Sequence, residues 1–492
     1  MDSPIGTSTR GPSDIERVTM RIVSWRVLPI VCGLYVVAFI DRVALGYAQL
    51  KMGAELGIDP AFFGLVAGIF FAGYLLFEIP SNAALYRFGA RKWLARIGVT
   101  WGLVTVLTGL VQNEWQLLIA RFLLGVAEAG LAPGAVLYFA MFFPAAYRAK
   151  SLGFFFIAAP LSGVIAGPLS GVILDHANWL GLSSWRWIFI LFGVPAVFLG
   201  IITSIWLADS PARAKWLSPT QKDWLANRLE KDSPVPHEHA GAFLRAVRDP
   251  RVLALSVVQF LVLSGVYGIA FWTPQIVKSF SQSGSSTVVG LLAAIPFLAA
   301  CITTCWTGQH SDKKMERPLH IAVPVAIGGV ALLILPWVHD SAAISLLVLT
   351  VAAAGTYAYP APFWAITQGL FTGPTAAVAI AAVGALSSIG SLVSPYIFGW
   401  ITKATGSTNV GILYLGGSLL LGAVLMIAIR PLVASALGPT AGHTSPNGVG
   451  RGPDLSHAHL RLRAEARPAA TETVDAGGLA PGSLPSLPRS ID

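Results

Sequence analysis

Four ionisable side chains lie inside apolar stretches that are long enough to cross a membrane. Asp41 and Arg42 are adjacent in the stretch 25–47, and Arg121 and Glu128 share a second stretch. A charge at bilayer depth costs at least about 2.5–3.5 kcal/mol, so such groups are usually retained for function. The four residues therefore predict a path for an ion or an anion through the membrane.

The expected depths of these residues place them in one site. Arg42 and Arg121 each fall on the order of 10 Å outward of their helix centres, and Glu128 falls near the midplane. Because Arg121 and Glu128 are two helical turns apart, one helix face should carry both. Protonation of Asp41 is expected to free its neighbour Arg42 for an anion. The alternative is a structural ion-pair network, although buried pairs alone rarely stabilise a fold.

The composition is that of an integral membrane protein. The chain has 492 residues and only 12% are charged, whereas soluble domains are about 25% charged. A helix needs about 20 apolar residues to cross the hydrocarbon core, which predicts twelve spans and an all-α membrane protein. The predicted spans are 24–47, 61–86, 92–111, 115–140, 148–174, 185–208, 252–278, 286–308, 319–337, 342–369, 374–400 and 410–432.

The spans divide into two sets of six around one polar stretch. Residues 86–91 after span 2 match 312–317 after span 8 in place and basic spacing, which predicts two parallel six-helix repeats around a midplane site. The expected division is an N-terminal tail 1–23, a bundle 24–208, a central loop 209–251, a bundle 252–432 and a disordered tail 433–492.

Basic residues predict the orientation. They cluster before span 1 and in the connections after spans 2, 4, 6 and 8, whereas the other connections carry one basic residue or none. Both termini are therefore expected in the cytoplasm, and the protein in the inner membrane of the cell. In the central loop, Ser218 and Gln221 form a capping-box pattern, which predicts a short amphipathic helix with Trp224 and Leu225 facing inward.

Several motifs together resemble one transporter family. They are the segments 40–43 (IDRV), 78–82 (EIPSN), 87–92 (RFGARK) and 121–130 (RFLLGVAEAG), with Pro-Gly at 133–134. The chain from about residue 20 to 432 resembles the anion:cation symporter family of the major facilitator superfamily. Its bacterial tartrate, phthalate and hydroxyphenylacetate permeases are the branch that it resembles most.

This resemblance implies a function and roles for individual residues. It implies proton-coupled uptake of a small organic anion, usually a carboxylate, by alternating access. Asp41 and Glu128 would exchange protons, and Arg42 would bind the carboxylate. Two departures leave the substrate open: Tyr86 replaces the usual aspartate of the first loop motif, and the span-11 run 385–391 lacks the asparagines of relatives.

Further side chains complete the predicted site. Polar and aromatic residues of the second half are candidates for substrate contact, and basic and acidic residues near the cytoplasmic ends of spans 2 and 8 are candidates for gating. The predicted substrate-binding set is Arg42, Arg121, Tyr267, Trp272, Trp364, Gln368 and Ser387. The predicted gating set is Glu78, Asn82, Arg87, Arg91, Asp312 and Arg317.

Other classes of function are not favoured. The run 237–239 (HEH) cannot enclose a metal ion alone, and the sequence has no Walker loop, HExxH, nucleotide fingerprint or nucleophile elbow. No metal, cofactor, enzyme activity or nucleic-acid partner is therefore expected. The expected partners are a small organic anion, protons and the lipid bilayer, with a monomeric chain. The alternative function is proton-driven export of a drug or metabolite, which the small-residue run 163–171 in span 5 weakly suggests.

Overall fold

The computed structural model describes residues 14–232, 242–281, 283–338, 340–371 and 375–437. Within these ranges the regular structure is helical throughout, with three short 3₁₀ turns between α-helices. In chain order the helices are α1 Asp14–Leu56, α2 Pro60–Phe88, α3 Ala90–Thr108, α4 Glu114–Glu128, α5 Leu131–Phe142, α6 Ala145–Phe156, α7 Ala158–His176, α8 Ser184–Trp206, α9 Pro219–Asp232, α10 Ala242–Val247, α11 Pro250–Ser281, α12 Ser286–Lys314, α13 Pro318–Ile334, α14 Ala342–Thr356, α15 Pro360–Leu370, α16 Thr375–Thr405, α17 Thr408–Ala428 and α18 Arg430–Leu437.

The helices form the twelve predicted spans. Eleven helical segments are long and apolar enough to cross a membrane, with α4–α5, α6–α7 and α14–α15 each forming one segment. The twelfth span is α3, whose first turns carry Arg91, Lys92 and Arg96. It packs closely against α8, where a Cβ on Gly98 would lie 2.8 Å from the Cα of Gly200. Because both residues at this crossing are glycines, the two backbones can touch.

The helix ends agree with the predicted ends to within a few residues, with some exceptions. The first helix begins at Asp14 instead of residue 24, so the part of the expected N-terminal tail that the structure describes, 14–23, is helical. The eighth span continues to Lys314, and the last span ends at Ala428 before the short helix α18. In the first and eighth spans, polar turns extend the helix beyond the apolar stretch that the sequence marks, because helix propensity continues past the hydrocarbon boundary.

Span 4 is interrupted directly after Glu128. Gly130 adopts a left-handed conformation with φ of +86°, and α5 starts at the next residue. Pro133 lies in the first turn of α5, where its ring would clash with the carbonyl of Ala129 in a continuous helix. Span 10 is also interrupted, between Thr356 at the end of α14 and Pro360 at the start of α15.

The first six and last six spans touch closely toward one end of the bundle. A Cβ on Gly68 of α2 would lie 2.2 Å from the carbonyl oxygen of Leu392 in α16, and a Cβ on Gly290 of α12 would lie 2.1 Å from that of Gly167 in α7. Glycine is required at both crossings because any side chain would overlap the opposite backbone.

Polar contacts reinforce the same end, which we call the Asp59 end. Lys403 of α16 donates to Asp59, the N-cap residue of α2, at 2.8 Å. Asp175 of α7 accepts hydrogen bonds at the start of α12, from the Ser285 hydroxyl at 2.7 Å and from the Thr287 amide at 2.8 Å. A hydrogen bond from Lys403 is the main reason that the pKa of Asp59 lies below its ordinary value.

The central connection contains the expected amphipathic helix, α9. Ser218 and Gln221 form a reciprocal capping box. The backbone amide of Gln221 donates to the Ser218 hydroxyl at 3.3 Å, and the backbone amide of Ser218 donates to Gln221 Oε1 at 2.9 Å. Leu225 is fully buried and Trp224 is half-buried, which confirms the predicted inward face. The run 237–239 and the tail from 438 onward lie outside the described residues.

Candidate substrate and proton site

The side chain of Arg42 connects the two halves of the bundle. Its Nη2 donates to Oε1 of Glu128 in span 4, and its Nη1 donates to the Tyr267 hydroxyl of α11 at 3.3 Å. Arg42 is 6% exposed and Glu128 is 0% exposed. The second carboxylate oxygen of Glu128 has no hydrogen-bond partner among the described residues. The site therefore holds an ion pair with unused hydrogen-bonding capacity on the acid.

Asp41 points away from its neighbour Arg42. Its Oδ2 accepts from the Trp101 indole at 3.1 Å and from the Thr105 hydroxyl at 2.8 Å, both on α3. The expectation that Asp41 holds Arg42 is therefore wrong for this state, since Glu128 takes that position. Adjacent residues on a helix point about 100° apart, so Asp41 and Arg42 necessarily face different neighbours.

Arg121 is enclosed completely. It is 0% exposed, and none of its three guanidinium nitrogens has a hydrogen-bond partner among the described residues. The acids Asp41 and Glu128 attract it electrostatically, and its Cζ lies 5.5 Å from the Phe70 ring centre. The predicted direct contact of Arg121 with substrate is not supported by this enclosure. The guanidinium instead supplies a fixed positive charge between two carboxylates.

The break in span 4 places Glu128 at a helix end. The Ser81 hydroxyl of α2 donates to the freed carbonyl of Ala129 at 2.6 Å and accepts from the Trp93 indole at 2.9 Å. A Cβ at Gly130 would lie 2.4 Å from the Ser81 hydroxyl oxygen, so only glycine fits there. Discontinuous helices at a bilayer midplane typically mark the binding site of a transporter.

Aromatic rings surround Arg42, and the sequence prediction missed most of them. Its Cζ lies 4.7 Å from the Phe39 ring centre, 4.9 Å from Phe70 and 5.7 Å from Tyr74. Tyr35 stands one helical turn before Phe39 on α1. The signal was present in the spacing 35, 39 and 42, which places two rings and a guanidinium on one helix face.

Trp272 lies away from this ion pair. Its ring packs 5.1 Å from Phe63 and 4.3 Å from Phe398, centre to centre. These partners belong to α2 and α16, near the crossing where the two halves touch. Trp272 therefore contributes to the closed Asp59 end, and its predicted role in substrate contact is not supported in this state.

The other candidates of the second half are also separate from Arg42. The Ser387 hydroxyl donates to the carbonyl of Gly384 in its own helix at 3.0 Å. Trp364 is half-buried and a Cβ on Gly384 would lie 3.8 Å from its ring, while Gln368 is exposed. Of the predicted residues of the second half, Tyr267 is the one in hydrogen-bond contact with Arg42 in the part of the chain that the structure describes.

The first predicted gate has an acid that the motif comparison missed. Tyr86 is exposed, and Arg91 pairs instead with Asp209 just after α8, with Nη2 and Oδ2 3.2 Å apart. Arg91 also donates to the carbonyl of Ser204 at 3.1 Å. Asp209 is distant in sequence, so only the packing of α3 on α8 brings it to the arginine.

The second predicted gate forms between the last turn of α12 and the start of α13. Arg317 pairs with Asp312, and it also donates to the Ser311 hydroxyl at 3.3 Å. Glu78 and Asn82 are half-buried on α2. Each of these pairs lies within one half of the bundle, so the end opposite the Asp59 end is not locked by them in this state.

Twelve membrane-length helices surround a buried site that carries charged residues and lies at a break in a helix. This arrangement defines a secondary transporter. The family model of the Major Facilitator Superfamily matches residues 31–386. The chain belongs to this superfamily, and it is a transporter, not an enzyme.

Relatives of known name cover nearly the whole chain. A protein of Agrobacterium vitis named "Putative tartrate transporter" is 38% identical over 85% of this chain and 96% of its own length. A quinolone resistance transporter of Acinetobacter baumannii is 38% identical over 84% of this chain and 95% of its own length. The xylose transporter XylE of Escherichia coli, in a partially occluded inward open conformation, shares the fold, with a TM-score of 0.66 at 18% identity over 83% of this chain and 98% of its own.

Proposed function

We propose that the protein takes up a small organic anion together with protons by alternating access. The observation that carries this proposal is the buried pair between Arg42 and Glu128, which joins an anion-binding group to a titratable one. The relative named for tartrate supports an organic anion as the cargo.

Competition for Arg42 couples the proton to the anion. While Glu128 is ionised it occupies the guanidinium, and leaving either charge unpaired in a buried site is strongly unfavourable. Protonation of Glu128 removes its charge and releases Arg42, which then binds a carboxylate through two parallel hydrogen bonds. Asp41, held by Trp101 and Thr105, is proposed as a second acid whose charge is coupled to the first through Arg121.

The proposed orientation assigns the closed end of the bundle to one side of the membrane. The distribution of basic connections supports both termini on the cytoplasmic side of the inner membrane, an orientation in which the Asp59 end faces outward. The close contacts at that end then describe a carrier closed toward the outside, with two six-helix bundles as its moving bodies and one chain as the functional unit.

Uptake into reconstituted vesicles with an imposed pH gradient tests the proposal. Arg42→Lys should reduce binding of a labelled carboxylate at least tenfold because an ammonium cannot reproduce the bidentate guanidinium contact. Arg251→Lys is the matched control, since Arg251 pairs with Asp249 at a helix start away from the site. Near-normal affinity in Arg42→Lys would remove Arg42 from the binding site.

Cysteine labelling tests the orientation separately. In a background with Cys32, Cys301 and Cys305 replaced by alanine, Ser218→Cys should react only from the cytoplasm and Thr405→Cys only from outside. The reverse pattern would invert the topology and the proposed direction.

Drug export is the second candidate, favoured by the quinolone resistance relative. Cells that express the protein should then accumulate less quinolone than cells that express Arg42→Gln. Equal accumulation, together with carboxylate uptake, would leave export without support.

A further inference from the structure

A groove on the surface of the bundle lies between the first part of α1 and α6, outside the site described above. Its volume is about 340 Å³. The α1 wall is a stripe of residues about one helical turn apart, which therefore share one face of the helix. These residues are Arg17, Arg21, Ser24 and Leu28. Tyr147 and Phe154 belong to the opposite wall on α6.

The groove changes from polar to apolar along its length. Arg17 and Arg21 precede the apolar stretch that starts at residue 25, and Leu28 lies within that stretch. The distance from Arg17 to Leu28 corresponds to about 16 Å along a helix. On α6, Tyr147 lies in the first turn, and Phe154, two turns later, is 52% exposed. A molecule that fills the groove therefore needs a polar end at the membrane surface and an apolar end in the hydrocarbon region.

The polar end of the groove carries positive charge that is free to bind an anion. Arg21 is exposed and has no ion-pair or hydrogen-bond partner among the residues that the structure describes. Arg17 pairs with Asp14, but both side chains are largely exposed, so solvent screens this pair. A second acid, Glu16, accepts from the Tyr147 hydroxyl at 3.1 Å. Two guanidinium groups are thus available in the groove, and guanidinium binds phosphate through paired hydrogen bonds.

The groove is separate from the proposed substrate site. Beyond its apolar end, Tyr35 of α1 and Phe155 of α6 stack with their ring centres 3.6 Å apart. The two helices are therefore in contact between the groove and Arg42. A small anion would leave the apolar walls uncovered, and a purely apolar molecule would leave the guanidinium groups without a partner. A phospholipid with an anionic headgroup suits both ends, and basic pockets between helices at the membrane surface bind such lipids.

We propose that this groove binds one anionic phospholipid, with its headgroup phosphate on Arg21 and Arg17 and one acyl chain along Leu28 and Phe154. In the proposed orientation the lipid belongs to the cytoplasmic leaflet, whose anionic lipids attract basic segments. The bound lipid joins spans 1 and 5 at one end of the bundle, so it stabilises the folded protein by mass action. The site does not depend on which molecule is transported.

Thermal unfolding of the full-length protein in detergent tests the headgroup. Phosphatidylglycerol should raise the melting temperature with an apparent Kd at least about tenfold lower than that of phosphatidylcholine with the same acyl chains. Arg17→Gln/Arg21→Gln should abolish this preference. Arg213→Gln/Lys215→Gln removes the same charge from exposed positions of the central connection and should retain it. Equal affinities for the two lipids in the wild type, or the same loss in both double variants, would overturn the proposal. Equal stabilisation by inorganic phosphate would also overturn it, since an anion site would then need no lipid.

A cysteine in the groove locates the lipid. In the cysteine-free background, Ser24→Cys in nanodiscs should react with a neutral maleimide at least about fivefold more slowly when the bilayer contains phosphatidylglycerol than in pure phosphatidylcholine. Ser218→Cys, just before α9, is the control and should react equally in both bilayers. Adding Arg17→Gln/Arg21→Gln to Ser24→Cys should restore fast labelling. Equal labelling of Ser24→Cys in the two bilayers would refute the proposal, whether neutral lipid or another part of the chain covers the groove.

Discussion

Glu128→Gln is the sharpest test of coupling, because it removes the charge and keeps the shape. In the structure the Glu128 carboxylate accepts from Arg42 and is fully buried. Glutamine fills the same volume and still offers a carbonyl oxygen, but it no longer competes as an anion. The variant should therefore bind the anionic substrate without first requiring a proton.

The magnitude follows from the burial of the pair. Removing one partner of a buried ion pair typically costs about 3–5 kcal/mol, because the other charge is left without compensation. A substrate carboxylate that restores a partner to Arg42 regains part of this energy, and each 1.4 kcal/mol corresponds to about a tenfold change in Kd. We expect Glu128→Gln to bind at least about tenfold more tightly than the wild type at a pH where Glu128 is ionised in the empty carrier.

The competition also predicts how the substrate Kd changes with pH. Because wild-type binding takes up a proton, Kd should rise by up to about tenfold per pH unit as the empty carrier deprotonates. In Glu128→Gln this slope should disappear, and accumulation driven by a pH gradient should be lost while counterflow exchange continues. Binding titrations by calorimetry between pH 6 and 8 measure both effects, with Glu114→Gln at the start of α4 as control. A variant that keeps the wild-type slope and still concentrates substrate would show that Glu128 is structural.

Three further predictions concern the charges around the site and the closed end. Asp41→Asn should impair the coupling of anion transport to protons and lower thermal stability. In a double-mutant cycle, the loss of stability in Asp41→Asn/Arg121→Gln should be at least about 1 kcal/mol smaller than the sum of the two single losses. Additive losses would contradict the electrostatic link between the two residues. Asp175→Asn should weaken charge-assisted hydrogen bonds worth about 1.5–3 kcal/mol each and shift the carrier toward opening at the Asp59 end, seen as faster thiol labelling there. Lys403→Gln should change this labelling much less, because its pair with Asp59 is exposed and solvent screens such pairs. An effect as large as that of Asp175→Asn would refute this ranking.

The residue types of the site were readable from the sequence, but their pairing was not. Asp41, Arg42, Arg121 and Glu128 stand out because charge is expensive within an apolar span. Their sequence neighbourhood pairs Asp41 with Arg42, yet the structure pairs Arg42 with Glu128. Pairing depends on how spans 1 and 4 are rotated against each other, and rotation is set by contacts with all neighbouring helices.

The predicted contacts of the second half show the same limit. Tyr267, Trp272 and Ser387 were chosen because they are polar or aromatic within apolar spans. The structure brings Tyr267 to Arg42, packs Trp272 against Phe398 and turns Ser387 toward its own backbone. Residue type alone cannot distinguish these environments, because serine and tryptophan are stable in each of them.

The sequence by itself determined the number of spans, most of their ends, the superfamily and the charged residues of the site. These features follow from local energies, since hydrocarbon requires long apolar helices and penalises each charge separately. The tertiary structure decided that Asp209 and not a residue of the loop pairs with Arg91, that the Ala129 carbonyl after α4 accepts from Ser81, and that aromatic rings enclose Arg42. Each of these depends on contacts between residues far apart in the chain, whose geometry is fixed only when the helices pack together.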